Sequence, residues 1–514
     1  MNHRMIIRSL GLLLLIEAAC MLPALIVSLI YGGGLGSPGG LGDGVAGLGS
    51  PDGLGGVGGL GGGEGDAPAF VLSILALAAV GGAMARVRPK TTNIYAKDGF
   101  AIVGFGWLLM SVLGAAPFLL SGAVPSPVDA VFESISGFST TGASIIKNVE
   151  ALPHGILFWR SFAHWIGGLG FLLLMLAILP TARANTVHIM KAESPGPAPE
   201  KFVPQIRRVA KILYGIYVAL TFAEVIFLLC GGVPLFDALI HAFGTTSTGG
   251  FSNKNFSIGS FHSVYVENVV MAFMLLCGVN FTLYHALLRR NFSAFLHDEE
   301  FRFYALAILT ASFLIAFNTF GQAFASFGEA LRHGFFQVIA QITTTAYATA
   351  DFSKWPTFSK CVMLFLMLCG ASASSTGGGL KCVRVILLVK IARREVERLI
   401  HPRSVRAVKL NGKAVEEETL SGVVVFFFLY VATIVVATLL VSAEGRDIVS
   451  TWTAVLASIS NNGTGLGMVS NMGSFADFSV ASKIVLLVCM FVGRLEIYPV
   501  LLLSMPTFWR RVNI

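Results

Sequence analysis

The sequence predicts an all-α polytopic membrane protein: four pseudo-symmetric units of helix, re-entrant loop and helix around one axis, preceded by two extra N-terminal helices. Three observations lead there. The chain carries too little charge for a water-soluble protein. Apolar runs long enough to cross a bilayer recur along it. One short polar pattern returns four times, each time between two such runs.

Of the 514 residues, 55% are hydrophobic and only 12% are charged, against about 25% charged in an ordinary soluble domain. Mean hydropathy is +0.76. Apolar runs occupy residues 101–120, 156–180, 211–230, 264–287 and 421–441, and about 20 apolar residues span a bilayer core as helix. A backbone in hydrocarbon must satisfy its own hydrogen bonds, which selects helices over open strands, and no alternation of period two supports a barrel. The first run, 5–30, follows Arg4 and includes Arg8, as a signal peptide would begin. It is longer than the apolar region of such a peptide, so it reads as a retained helix.

Net charge is +8, and its distribution is one-sided. Residues 86–97, 183–211, 390–413 and the pairs Arg289-Arg290 and Arg510-Arg511 are basic; the alternate loops hold few cations beyond Lys147, Lys254, Arg332, Lys354 and Arg446. Basic loops face the cytoplasm. Both termini are therefore expected inside, with an even number of spans. The basic stretches are short, scattered and next to helices, which argues against a nucleic-acid surface. The seven cysteines lie in or beside apolar segments without CxxC or His-flanked metal spacing and read as packing residues. Residues 32–66 form a Gly-rich insert without the collagen period, and no strand or basic residue makes its Gly-x-Gly patterns a phosphate loop. The insert reads as a flexible extracytoplasmic segment.

The repeats are stretches 129–144 (DAVFESISGFSTTGAS), 237–252 (DALIHAFGTTSTGGFS), 333–351 (HGFFQVIAQITTTAYATAD) and 450–467 (STWTAVLASISNNGTGLG). Each opens with semi-apolar residues too few to span and runs into Thr, Ser, Asn and Gly. This is the pattern of a half-helix followed by extended backbone at membrane depth, which is tolerated only inside protein or along a watery cavity. Four such strands meeting on an axis present rings of carbonyl oxygens that replace the hydration shell of an alkali cation. The half-helices point their negative dipole ends at it, and glycine supplies positive φ. The expected units are 1–92 (N-terminal helix pair with the insert), 93–190, 191–298, 299–412 and 413–514.

Residues 360–398 are apolar at both ends but read GASASSTGGG over 370–379. Glycine costs a helix about 1 kcal/mol relative to alanine, so an intramembrane loop is expected at 370–381, with Lys381 at its end and Arg384 just after it. Arg494 stands inside the last apolar segment, and a charge there is functional by default. Glu496 is two positions away and on one helix would not face it. Arg160 and His164, near a helix start, suggest snorkelling or interhelical hydrogen bonding. No HExxH and no Walker sequence is present, and Glu17, Glu224 and Glu496 stand singly in their segments, which argues against a membrane-embedded enzyme or a nucleotide site on this chain.

Taken together, the four segments, Asp98-Gly99-Phe100, His164-Trp165-Ile166-Gly167-Gly168-Leu169-Gly170, Ser375-Thr376-Gly377-Gly378-Gly379-Leu380-Lys381 and Gly493-Arg494-Leu495-Glu496 resemble the membrane subunits of the Trk/Ktr/HKT superfamily of potassium transporters, of the bacterial TrkH/TrkG type. The resemblance covers the chain apart from the insert. It implies four M1–P–M2 units around one pore, a transported potassium ion with no organic cofactor, a homodimer, and control by a cytoplasmic nucleotide-binding ring. It implies a filter at Thr140, Thr141, Gly142, Ser247, Thr248, Gly249, Thr344, Thr345, Ala346, Asn461, Asn462 and Gly463. Gly142, Gly249 and Gly463 match the family's filter glycines, and Ala346 departs from them. Serine at the first of these positions goes with sodium preference in plant members, so Gly142 fits the potassium pattern. The resemblance further implies a gate made of Ser375, Thr376, Gly377, Gly378, Gly379 and Lys381, with Arg494 facing the pore as an electrostatic barrier. A sodium-selective or proton-coupled carrier on the same fold is the alternative expectation.

Overall fold

The computed structural model describes residues 1–32, 66–89, 96–168, 170, 206–402 and 406–509. Most of the Gly-rich insert, the second half of the 156–180 run, most of the basic stretch 183–211 and the pair Arg510-Arg511 lie outside the described residues. An N-terminal pair, His3–Tyr31 and Ala67–Ala85, precedes four repeats. Each repeat has a leading helix, a pore helix and a trailing helix. The leading helices are Ala96–Leu113, Ile206–Cys230, Glu299–Thr319 and Glu417–Ser442. The pore helices are Pro127–Phe138, Leu235–Thr246, Phe327–Ile342 and Ile448–Ile459. The trailing helices begin at His154–Gly168, Val264–Cys277, Thr357–Cys369 and Val480–Arg494. Six described helices are long and apolar enough to cross a membrane, and eight if two bent pairs are each one span.

Local chemistry sets both ends of the pore helices. Ser126, Ser326 and Asp447 cap three N-termini by accepting from the amides of Asp129, Glu329 and Ser450, which satisfies donors that a helix start leaves open. At the other end the caps are Ser139, Ser247, Thr343 and Ser460. Three of their hydroxyls donate back to the last turn, at Phe243 O (2.6 Å), Ile339 O (2.7 Å) and Leu456 O (2.7 Å).

The apolar core falls into two large bodies, beside a smaller cluster of Val383, Leu387, Leu420 and Val423. One joins the N-terminal pair to repeats 1 and 4 through residues such as Phe132, Trp159 and Met490. The other joins repeats 2 and 3 through Met274, Tyr304 and Phe336. The leading helices of repeats 3 and 4 turn Leu306, Phe317, Phe428 and Leu439 outward, each more than 60% exposed. A water-facing surface would not carry such a band, and it marks the lipid side.

The trailing helices depart from expectation. Residues 264–287 are not a straight span: Val264–Cys277 turns by 89° into Phe281–Leu288, and Val480–Arg494 turns by 119° into Tyr498–Ser504. Interruption is therefore not confined to repeat 3, where the helix stops at Cys369 and resumes at Cys382 as expected. The reason is close approach. A Cβ on Gly167 or Gly493 would strike the Phe138 or Ile459 carbonyl at the end of the same repeat's pore helix, and one on Gly278 would strike Tyr304 and Thr343. Gly167 and Gly493 let their trailing helices meet the pore-helix ends backbone to backbone, and the bends after Cys277 and Arg494 fall beside the contacts of Gly278 and Gly493.

A buried ion pair within repeat 1 reaches across to repeat 2. Arg160 Nε lies 2.5 Å from Glu133 Oε1, with side chains 3% and 0% exposed. Its Nη1 donates to Ser252 O at 3.0 Å, and the guanidinium sits 3.4 Å from the centroid of the Phe251 ring. Arg160 thus takes the interhelical hydrogen bond, and it does not snorkel. Removing one partner of a buried pair strands the other charge, at about 3–5 kcal/mol. Arg160→Met should accordingly lower the melting temperature of the detergent-purified protein markedly, and adding Glu133→Gln should restore part of the loss. Equal melting of the single and double variants would refute the pairing as a stabilising brace.

Candidate functional site

The four pore helices end in strands with one backbone signature. Two residues with positive φ stand two apart: Thr140 (55°) and Gly142 (79°), Thr248 (55°) and Gly250 (81°), Thr344 (61°) and Ala346 (56°), Asn461 (52°) and Gly463 (75°). In repeat 2 the position equivalent to Gly142 is therefore Gly250, and the expected triplet Ser247, Thr248, Gly249 shifts by one to Thr248, Gly249, Gly250. Ser247 is the helix cap, in right-handed conformation like Ser139, Thr343 and Ser460. The sequence held the signal, since Gly142, Gly250, Ala346 and Gly463 each lie at the same offset from the start of their stretch. Ala346 does not bend its strand differently. It adopts the same left-handed conformation, at a strain of about 1–2 kcal/mol for a Cβ.

The strands interlock in cyclic order. A Cβ on Gly142 would meet the Gly249 carbonyl oxygen, one on Gly250 the Thr345 oxygen, and one on Gly463 the Thr141 oxygen. Each glycine thus leans on the carbonyl just before the corresponding residue of the next strand. Side chains complete the circle: Asn461 Nδ2 donates to Thr141 Oγ1 at 2.9 Å, Asn462 Nδ2 to Gln341 O at 3.4 Å, and Tyr347 Oη to His241 O and Phe251 O at 3.1 and 3.2 Å. Thr141 and Thr345 are held by Ser139 and Thr343 at 2.7 and 2.8 Å. Thr140, Thr141, Thr248, Thr344, Thr345, Asn461 and Asn462 are all buried.

Sequence reasoning missed a layer behind the strands. Glu133 accepts from Ser144 Oγ and Ile145 N, both at 3.0 Å; His241 Nε2 meets Ser252 Oγ at 2.9 Å; and Gln337 Nε2 donates to Ala350 O at 3.2 Å. The three occupy one register of their stretches. In repeat 4 that register holds Ala454, and the neighbouring Thr453 accepts from Leu466 N at 3.0 Å instead. A single polar residue at one depth of a semi-apolar half-helix was the readable sign.

The residues expected to gate lie against these strands. Gly378 N donates to Thr344 Oγ1 at 2.7 Å, and Gly378 also abuts Ser460 O and Asn461. Ser372 N donates to Gly278 O at 3.1 Å and Phe281 N to Ser374 O at 3.2 Å, which pins the loop to the bend of repeat 2. Thr376 Oγ1 donates to Cys277 O at 3.4 Å, and Ser375 Oγ bonds within the loop to Ser372 O at 2.5 Å. Lys381 has φ of 75° and donates to Gly377 O. Arg494 reaches Thr376 O at 3.1 Å, Gly168 O at 2.7 Å and Gly167 O, so one guanidinium joins the loop to the end of the trailing helix of repeat 1. Glu496 pairs with Arg384 at 2.5 Å, away from Arg494. His164 packs beside Gly249, with Nδ1 2.6 Å from Gly137 O. Among the described residues no group of three or more His, Cys, Asp or Glu side chains is placed to hold a metal ion.

A family model for TrkH, described as a cation transport protein, matches residues 67–511. The chain belongs to this family. It is 37% identical over 431 residues to the Trk system potassium uptake protein TrkH of Salmonella typhimurium, across 82% of this chain and 88% of that one. It is 35% identical over 515 residues to the TrkH of Halomonas elongata, across 99% and 100%. The crystal structure of the potassium transporter TrkH from Vibrio parahaemolyticus superposes with a TM-score of 0.84 at 33% identity, across 99% of this chain and 100% of that one. The fold is thus that of the TrkH family, four repeats included, and the chain is a multi-pass membrane protein.

The register of repeat 2 can be tested. Gly249 and Gly250 exclude a side chain for different reasons: a Cβ at 249 meets the His164 ring, while one at 250 meets the Thr345 carbonyl at positive φ. Gly249→Ala and Gly250→Ala should both destabilise, by about 1–3 kcal/mol from overpacking. His164→Ala should rescue Gly249→Ala and leave Gly250→Ala unrescued, as read by thermal unfolding. Rescue of both, or of Gly250→Ala alone, would refute the assignment.

Proposed function

We propose that this chain is a potassium uptake pathway across a bacterial inner membrane, with both termini cytoplasmic, channel-like and driven by the electrochemical gradient. The observation that carries the reading is the cyclic interlock of four strands of one conformation. Two left-handed residues flank a residue that is not left-handed, which turns successive carbonyls toward one side. Four such strands give stacked oxygen rings that stand in for the hydration shell of potassium. In this reading the filter is Thr140-Thr141-Gly142, Thr248-Gly249-Gly250, Thr344-Thr345-Ala346 and Asn461-Asn462-Gly463. The names of the relatives, which are potassium uptake proteins, support potassium as the cargo.

Loop 370–381 is the gate in this reading. Its contacts with Thr344, Ser460 and Asn461 put it at the helix-cap end of the filter, and Arg494 adds a positive charge that a cation must pass until the loop moves. By family resemblance the protein works as a homodimer under a cytoplasmic nucleotide-binding ring. The basic stretch 390–413 offers a docking surface of mixed charge, since Arg393 and Arg406 pair with Glu397 and Arg394 with Glu417.

The test is potassium and sodium flux from purified protein in liposomes under imposed voltage. Potassium flux should exceed sodium flux and should persist without a proton gradient; flux strictly tied to protons would overturn the channel reading. Gly142→Ser should raise the sodium-to-potassium ratio, and an unchanged ratio would remove Gly142 from the filter. Deleting residues 374–379 should raise basal flux, whereas reduced flux in a well-folded variant would argue against a gate.

A further inference from the structure

The loop is closed at its neck by its own backbone: Leu380 N donates to Leu368 O at 3.1 Å and Cys382 N to Ala371 O at 3.0 Å. A third group spans the same neck from outside. Glu300, 5% exposed, accepts from Ala373 N at 2.6 Å and from Val383 N at 3.0 Å, both on Oε1. One carboxylate oxygen therefore holds the strand entering the loop and the first turn of the helix leaving it. An oxygen that takes two buried amides satisfies both donors at once, and a buried donor left without a partner costs about 1–3 kcal/mol.

Glu300 stands in the first turn of its helix, and that helix start is gripped in turn. Asp298 caps that helix through Phe301 N at 2.8 Å, and its other oxygen takes Asn411 Nδ2 at 2.7 Å. Glu299 N donates to Asn411 Oδ1 at 2.8 Å, and Asn411 N donates back to Glu299 Oε1 at 3.1 Å. Asn411, with φ of 51°, forms the turn of the hairpin Lys409–Leu410 and Lys413–Ala414. Lys390 pairs with Glu299 and also reaches Lys409 O at 2.7 Å. The residue that staples the loop thus directly follows two residues clamped by the only strand pair among the described residues.

We infer that Glu300 is a positioning residue that holds the neck of loop 370–381, and that the hairpin at Asn411 sets where Glu300 stands. The inference rests on the reading of that loop as the gate. Moving the hairpin shifts Asp298 and Glu299, and with them the oxygen that both neck amides share. A force applied on the basic side of the molecule then reaches the loop without passing through the filter.

The test uses full-length protein in lipid, with amide hydrogen exchange over 371–383 and potassium flux in liposomes as paired readouts. Glu300→Ala should raise both, with neck exchange faster by about tenfold for the loss of the shared acceptor. Glu300→Gln, which keeps an acceptor oxygen, should lie closer to the parent in both. Asn411→Ala, which leaves Glu300 intact, should move both in the same direction by less. If Glu300→Ala does not fold, Glu300→Gln and Asn411→Ala carry the test. Unchanged neck exchange in all variants would overturn the inference. So would faster exchange with unchanged flux where deletion of 374–379 raises flux. If that deletion also leaves flux unchanged, the gate reading fails and takes this inference with it.

Discussion

Four helices in this protein end in its middle, and the rest of the structure follows from how those ends are satisfied. The last turn of any helix leaves carbonyls without amide partners, and within a membrane no water is present to take them. Here hydroxyls at the caps bond back into the last turn, and the next residue turns left-handed to end the helix. The strand that leaves each helix then braces itself on its neighbour's backbone. No strand is stable in this shape alone. The four define one another's positions, which explains why the trailing helices carry glycine where they pass and why the ion pair of Glu133 and Arg160 is buried behind them.

The approximate fourfold symmetry is broken with purpose at two places. Repeat 3 carries alanine where the others carry glycine, yet keeps their conformation, and its trailing helix opens into a loop. Repeat 4 replaces threonines with Asn461 and Asn462, whose amides reach repeats 1 and 3, and supplies Arg494. The two least regular repeats are therefore the ones that meet at the loop 370–381, and Arg494 extends their contact to repeat 1.

Much of this was legible in the sequence. The apolar runs gave the leading helices, the glycine run gave the break after Cys369, and the repeated Thr, Ser and Gly stretches gave the re-entrant strands. Gly250 was missed because adjacent glycines look alike, and only the spacing from Asp237 separates them. The bends near Gly278 and Arg494 were missed because the apolar pattern continues through both; hydropathy reports the solvent of a segment and is blind to its direction. The partner of Glu496 lay 112 positions away at Arg384, and a contact of that range leaves no local pattern.

The bend after Arg494 has a mechanical side. Glu496 and Ile497 stand in sequence at φ of 57° and 61°, and for a β-branched residue such a conformation is an outlier that persists only when its surroundings hold it. The holder is Arg384, clasped to Glu496 and lying 4.0 Å from the centroid of the Phe426 ring. Arg384 is also in the first turn of the helix that leaves the loop. The elbow of repeat 4 and the helix that leaves the loop of repeat 3 are therefore fastened to each other like two leaves on one pin.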